Sequence, residues 1–246
     1  DLKNNQLKVS NTSISKSIVE ANTGIKAIDT AIVNFYNNGY LHNHLRMYIA
    51  SLACNVAQSH WSFPAKWMYY HLLDADWASN ALSWQWVCGA NAPKVYYANQ
   101  DNINKYTGST QLGSVLDVSY EQLPELKLDC TWTQAQYPFE PPTTQTIDID
   151  SNLPTFLYTP YHLDPIWKTE QQGNRILFWD LDHWKDYPFT EKVYNWINEL
   201  ANLNIPDLQI VVGTWASLSQ QINPRRVKTS VANKSSPSAA SSRLAA

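Results

Sequence analysis

Glycine is scarce: the 246 residues hold 7, and none falls in a GxGxxG or GxxxxGK[ST] pattern. That argues against a nucleotide site built on a glycine-rich loop. No run of 18 apolar residues occurs, so no membrane span is expected, and no signal peptide is visible. Cysteine is nearly absent too. Cys54, Cys88 and Cys130 are odd in number and widely spaced, with no CxxC or Cys/His cluster, which speaks against a zinc site or a disulfide framework. They read as reduced, mostly buried thiols, with the cytoplasm as the simplest compartment. Charge is sparse, 16% of residues against 44% hydrophobic, so the chain is neither disordered nor supercharged.

What it has in quantity is aromatic surface: 11 Trp, 14 Tyr and 6 Phe. The net charge of −3 is unevenly spread. Arg225, Arg226, Lys228, Lys234 and Arg243 follow Ile222 with no acid among them. Without those five the chain carries 13 basic against 21 acidic residues, a net −8. A nonspecific nucleic-acid binder normally has the opposite sign.

Periodicity predicts a mainly α chain that ends in a small α/β unit. Ile25, Ile28, Ile32 and Phe35 recur at helical spacing before a stop at Gly39. A second helix is expected over 41–58, a third from Pro64 to His71, and a fourth over 76–87. Helical signals then fade between Gly89 and Tyr106. After Leu153 the character changes to strand (155–159), strand (175–179), helix (190–203) and strand (208–212), the pattern of a small parallel unit. The expected division is an N-terminal extension over 1–22, a helical domain over 23–130, a linker over 131–154, the α/β unit over 155–222 and a disordered tail over 223–246.

Polar groups recur on two of these helices. Asp76, Asn80 and Trp84, at i, i+4 and i+8, form one stripe. Asp74 lies just before it, near the helix N-terminus, where a carboxylate is favoured. Asn43, Arg46 and Met47 share a face of the preceding helix. Facing polar groups of this kind would cost several kcal/mol if left unsatisfied. Either they satisfy one another, as an Arg46–Asp74 ion pair and helix caps, or they hold a polar ligand. In the C-terminal part His162 and Asp164 follow a strand end, where α/β sheets place ligands, although turn chemistry around Pro160 and Pro165 accounts for them as well. Asp180, Asp182 and His183 could form a metal trio or a solvated loop; no metal is expected.

Two blocks carry a resemblance. GYLHNHLRMYIAS (39–51) followed by HLLDADWASNALSWQWVCG (71–89) resembles the flavin-binding core of the cryptochrome/photolyase family, most closely its short bacterial FAD-binding members. The N-x-x-R-M, D-x-D-x-x-x-N and W-Q-W motifs follow in the family's order, and the likeness runs from about Thr23 to Tyr106, more loosely to Leu126. It implies a helical domain that binds FAD. Arg46 and Asp74 match an ion pair beside the flavin ring, expected to be buried and worth about 3–5 kcal/mol. Asp76 matches the acid along the ring's polar edge, and Asn80 the residue at N5 that tunes the reduced states. Trp84 matches the immediate electron donor and Trp61 the second, expected at the far end of the helix carrying Arg46. Asn43 and Met47 match positions near the adenine and the substrate cavity, and Trp86 a wall of that cavity.

The likeness has gaps. His44 stands where photolyases carry Arg. The phosphate-gripping segment, the W-R-E motif and a third Trp would lie upstream, and the chain is expected to begin after them. Only Lys94 and Lys105 stand where DNA-gripping basic residues would follow W-Q-W. The implied function is light-driven flavin electron transfer, with repair of damaged DNA by a photolyase, or a binding module that has lost flavin, as the alternatives. With no third Trp upstream of Trp61, either a short-lived radical pair or a detour through a nearby residue such as Trp67 or Tyr70 is expected.

Overall fold

The structure is a computed structural model, and it describes residues 11–128, 130–144 and 146–229. The chain divides into two compact units, residues 1–138 and 139–246.

The first unit is helical. A short strand β1 (Ile14–Ser15) pairs antiparallel with β2 (Trp132–Thr133). Between them lie α1 (Lys16–Val19), α2 (Lys26–Asn38), α3 (Asn43–Ser51), α4 (Ser62–His71), α5 (Trp77–Val87) and α6 (Gln100–Thr107). The buried stripe of α2 is Ile28, Ala31, Ile32 and Phe35, and Gly39 ends it in the left-handed region at φ 70°. The expected second helix is not continuous. After Ser51 the bonding shifts to a π turn over Leu52–Val56, closed by the Ala57 amide on the Leu52 carbonyl five residues back at 2.8 Å. Trp61 therefore lies at the N-terminal cap of α4, not on the helix that carries Arg46. The eight-residue α6 falls within the stretch where helical signals faded. Its sequence is polar on nearly every side, and only Gln100 and Ile103 are buried. It is held by its caps: Asn99 Oδ1 accepts from the Asn102 amide at 3.0 Å, and Gly108 closes it at φ 69°.

The second unit is a parallel four-stranded sheet of β3 (Thr155–Tyr158), β4 (Asn174–Asp180), β5 (Leu208–Gly213) and β6 (Val227–Thr229), in the order β5-β4-β3-β6. The helices α7 (Leu181–Asp186) and α8 (Glu191–Asn204) connect β4 to β5, and α9 (Trp215–Gln221) connects β5 to β6. On one face Leu157, Ile176, Phe178 and Val211 pack with Leu218 and Ile222. On the other, Trp179 meets Tyr194 of α8 at 5.0 Å and donates its indole N–H to Asn198 Oδ1 at 2.9 Å. Strand β6 lies inside the expected disordered tail. Its three residues pair with Thr155–Leu157, a pairing too short to show in the sequence pattern. Residues 230–246 of that expected tail lie outside the described residues.

Candidate functional site

The corner between α2 and α3 sets the site. A methyl group at Gly39 would sit 2.6 Å from Leu73 Cγ, and the Leu73 amide donates to the Gly39 carbonyl at 2.9 Å. The 72–76 segment is thereby drawn against the start of α3. Arg46 Nε donates to the Leu41 carbonyl at 2.8 Å, which fixes its fork, and Nη2 meets both oxygens of Asp74 at 2.9 Å. The expected pair therefore forms. It is not buried: the two side chains are 25% and 56% exposed. Taken alone, such a pair contributes about 0–1 kcal/mol, not the 3–5 kcal/mol of a buried one. The 72–76 segment is an open turn, which leaves the carboxylate facing water.

Asp76 is the N-cap of α5, accepting from the Ser79 amide at 2.7 Å. Asn80 commits its Nδ2 to the Ala65 carbonyl of α4 at 2.9 Å. Asn43 Nδ2 lies 3.8 Å from Met47 Sδ. The polar groups cap and pair one another, and together they also enclose a cavity. It has a volume of about 180 Å³, and Asn43, Arg46, Met47, Asp74, Asp76, Asn80 and Trp84 all line it. Ala50, Leu72, Ser79, Ser83 and Val87 complete the wall. The two serines were missed by the sequence reading. They stand at i+3 and i+7 from Asp76, on the flank of the same stripe, so helical spacing alone could have found them.

Trp61 and Trp86 stand apart from this wall. Trp86 is 48% exposed and packs on Tyr96 at 5.7 Å. Trp61 is buried and stacks on Trp77, with ring centroids 6.4 Å apart and planes at 28°. Trp77 is half-buried and meets Tyr69 edge-on at 5.6 Å. The residues expected as a detour are engaged differently. Trp67 donates to the Tyr36 hydroxyl at 3.0 Å and packs on Phe35 and His71, while Tyr70 meets Tyr137 at 4.9 Å. Burial pushes the Tyr36 phenol up to about 12.

In the second unit the tested trio does structural work. Asp180 caps α7 through the Asp182 amide at 3.0 Å, Asp182 pairs with Lys185 at 2.9 Å, and His183 Nε2 lies 3.1 Å from the Tyr161 hydroxyl. Among the described residues no group of three His, Cys, Asp or Glu is placed to hold a metal. Asp164 accepts from the Ile166 amide at 3.0 Å, and the His162 amide donates to the Thr159 carbonyl at 2.9 Å, which is turn chemistry. No helix among the described residues is long and apolar enough to cross a membrane.

Residues 3–149, more than half of the chain, match the family described as the FAD binding domain of DNA photolyase. Among curated proteins the chain is similar to a deoxyribodipyrimidine photo-lyase of Agrobacterium fabrum, 39% identical over 70 residues, which is 28% of this chain and 15% of that protein. It is 33% identical over 70 residues to cryptochrome-1 of Arabidopsis thaliana, 28% of this chain and 10% of that protein. A deoxyribodipyrimidine photo-lyase of Escherichia coli is 30% identical over 78 residues, 32% and 16%. The matched stretches thus span about a sixth or less of these relatives. No solved structure matches the chain.

Proposed function

This chain belongs to the family of the FAD-binding domain of DNA photolyase, and from that premise we propose that its helical unit holds the ring of FAD in the α3–α5 cavity and feeds it an electron from Trp84 under blue light. The observation that carries this reading is the convergence on one cavity of seven residues from two separate sequence blocks.

The lining suits a flat heteroaromatic ring. Met47, Leu72, Trp84 and Val87 offer apolar contact, and Arg46, Asp74, Asp76 and Asn80 offer polar groups for its edges. The volume is smaller than the roughly 300–1,000 Å³ of pockets that take drug-sized ligands, so this cavity accounts for a ring and not for the whole dinucleotide. When bound, FAD supplies a light-absorbing ring that takes up electrons. The chain's own groups do the rest. Arg46 and Asp74 hold opposite charges in place at the cavity. Asn80, with its Nδ2 on the Ala65 carbonyl, keeps its Oδ1 to accept a hydrogen bond from a ring N–H. Trp84, 2% exposed, is a donor shielded from water, where little solvent has to reorganise when charge moves.

Trp61 and Trp77 offer an outward route beside the expected detour. Their ring separation of 6.4 Å leads from a buried indole to a half-buried one. The test is the absorption of the purified chain, read for flavin bands near about 370 and 450 nm, followed by illumination with an external reductant. Trp84→Phe should keep the flavin and lose most of its photoreduction, and Trp77→Phe should slow it less. Photoreduction of Trp84→Phe at the parent's rate would sink the assignment.

Repair of damaged DNA is the second reading, favoured by the names of the relatives. Against it stand the acidic balance and the presence of only Lys94 and Lys105 in the 40 residues that follow the W-Q-W motif, 87–126. Duplex binding by this chain should be weak and fall steeply with salt. Salt-resistant, lesion-selective binding would favour repair over electron transfer alone.

A further inference from the structure

Two thiols of the helical unit have no part in the flavin reading. Cys54 and Cys88 are 4% and 3% exposed and come from different elements. Cys54 lies in the π turn, and Cys88 caps the C-terminus of α5. Asn55 ties the two elements together. Its Nδ2 donates to the carbonyl of Val87 at 3.2 Å and to that of Tyr96 at 2.7 Å. The residues next to this clamp are the two cysteines, and their thiols hydrogen-bond to each other. Cys88 Sγ also reaches the Gln85 carbonyl at 3.5 Å. Its own proton has an acceptor there, so Cys54 is the donor between the thiols and Cys88 the acceptor. π turns of this kind are frequent at functional sites.

That polarity separates the two thiols chemically. The Cys54 hydrogen bond pulls the Cys88 thiol below its ordinary range, and burial holds Cys54 well above its own. The thiolate is the nucleophile of cysteine oxidation, so Cys88 is the attacking sulfur and Cys54 the resolving one.

We propose that Cys54 and Cys88 are a peroxide-oxidised dithiol that closes to an intramolecular disulfide. The Cys88 thiolate attacks one oxygen of hydrogen peroxide, the O–O bond breaks, and hydroxide leaves and is protonated to water. Cys88 is then a sulfenic acid. Cys54 sulfur attacks that sulfur, the S–O bond breaks, and a second water leaves. Two thiols lose two electrons and two protons, and the peroxide takes them up to become two waters. Access comes through the last turn of α5, where Gly89 follows at φ 76° and helix ends open most readily. The bond would join the π turn to α5 next to Val87, which is on the cavity wall, and so lock that part of the wall. This inference does not depend on flavin.

The experiment uses the full chain, folded, with hydrogen peroxide as the probe. After quenching, thiols are counted in denaturant and peptides are mapped without reduction. The three cysteines should titrate as one, with an intact mass lower by two hydrogens, a Cys54–Cys88 linked peptide, and full reversal by dithiothreitol. In Cys54→Ser the sulfenic acid on Cys88 should persist and be trapped by dimedone. Should that variant not fold, the peptide map of the parent decides alone. Three thiols surviving peroxide, a bond that includes Cys130, or irreversible oxidation of Cys88 would each overturn the proposal.

Discussion

At Asp74 the geometry separates two effects that the sequence joins. Arg46 reaches it in an orderly way, held by the Leu41 carbonyl, yet the carboxylate is more than half exposed. Asp74→Asn should therefore change stability by less than about 1 kcal/mol while weakening FAD binding. A urea midpoint and a flavin titration on the same preparation check it, and a loss of several kcal/mol would mean the pair does more than the exposure implies. His60 makes the converse case, a group that lies outside the cavity wall. Its ring packs on Trp61 and Phe63, its Nδ1 lies 2.7 Å from Ser62 Oγ, and burial lowers its pKa from the usual 6.5. A depressed histidine favours the fold while neutral. Its contribution is complete above about pH 6.5 and is lost as pH falls through the lower, folded value. The midpoint of thermal unfolding should fall over that interval more steeply in the parent than in His60→Gln; parallel curves would contradict the argument. The sequence told which residues meet at the cavity because stripe and spacing are helix properties. It could not tell how exposed they are, because exposure depends on the path of the 72–76 turn.

The helices α2 and α8, whose apolar residues recur every three or four positions, were legible, since each must bury such a stripe. The π turn was not. Leu52 to Val56 continues the apolar run, and a one-residue shift in backbone bonding leaves no mark in composition. Nor was α9, whose seven residues bury Leu218 alone and begin at a Thr214 cap. The turn that ends α2 yields a sharper prediction. Gly39→Ala meets two penalties at once, a left-handed φ of 70° and a methyl 2.6 Å from Leu73 Cγ. It should cost more than the roughly 1–2 kcal/mol of the left-handed backbone alone, with about 1–3 kcal/mol typical of overpacking added to it. It should also loosen the cavity, by shifting the segment that carries Asp74 and Asp76. Chemical denaturation measures the first effect and flavin affinity the second; a neutral Gly39→Ala would mean that Leu73 moves aside freely.

On the scale of the chain, the switch from helical to strand character after Leu153 was plain in the sequence, because buried parallel strands read as continuous apolar runs. The sheet's fourth member was hidden, since Val227–Thr229 is short and lies in a stretch of basic and serine-rich sequence. Its position gives a prediction about truncation. A chain ending at Ile222 loses β6 and bares the backbone edge of β3, whose Thr155–Leu157 otherwise pair with it; exposed edges invite pairing between molecules. That chain should aggregate, as light scattering would report, whereas one ending at Thr229 should not. Equal solubility of the two would show that β6 is dispensable. The order β5-β4-β3-β6 also has a meaning in time. The ribosome delivers β3 first of the four and β6 last, so the neighbour that covers one edge of β3 emerges only after β4, α8, β5 and α9 have been made. Through that interval the second unit is a nascent sheet with an unguarded side, and translation, more than any equilibrium constant, sets how long a chaperone must stand in for three residues.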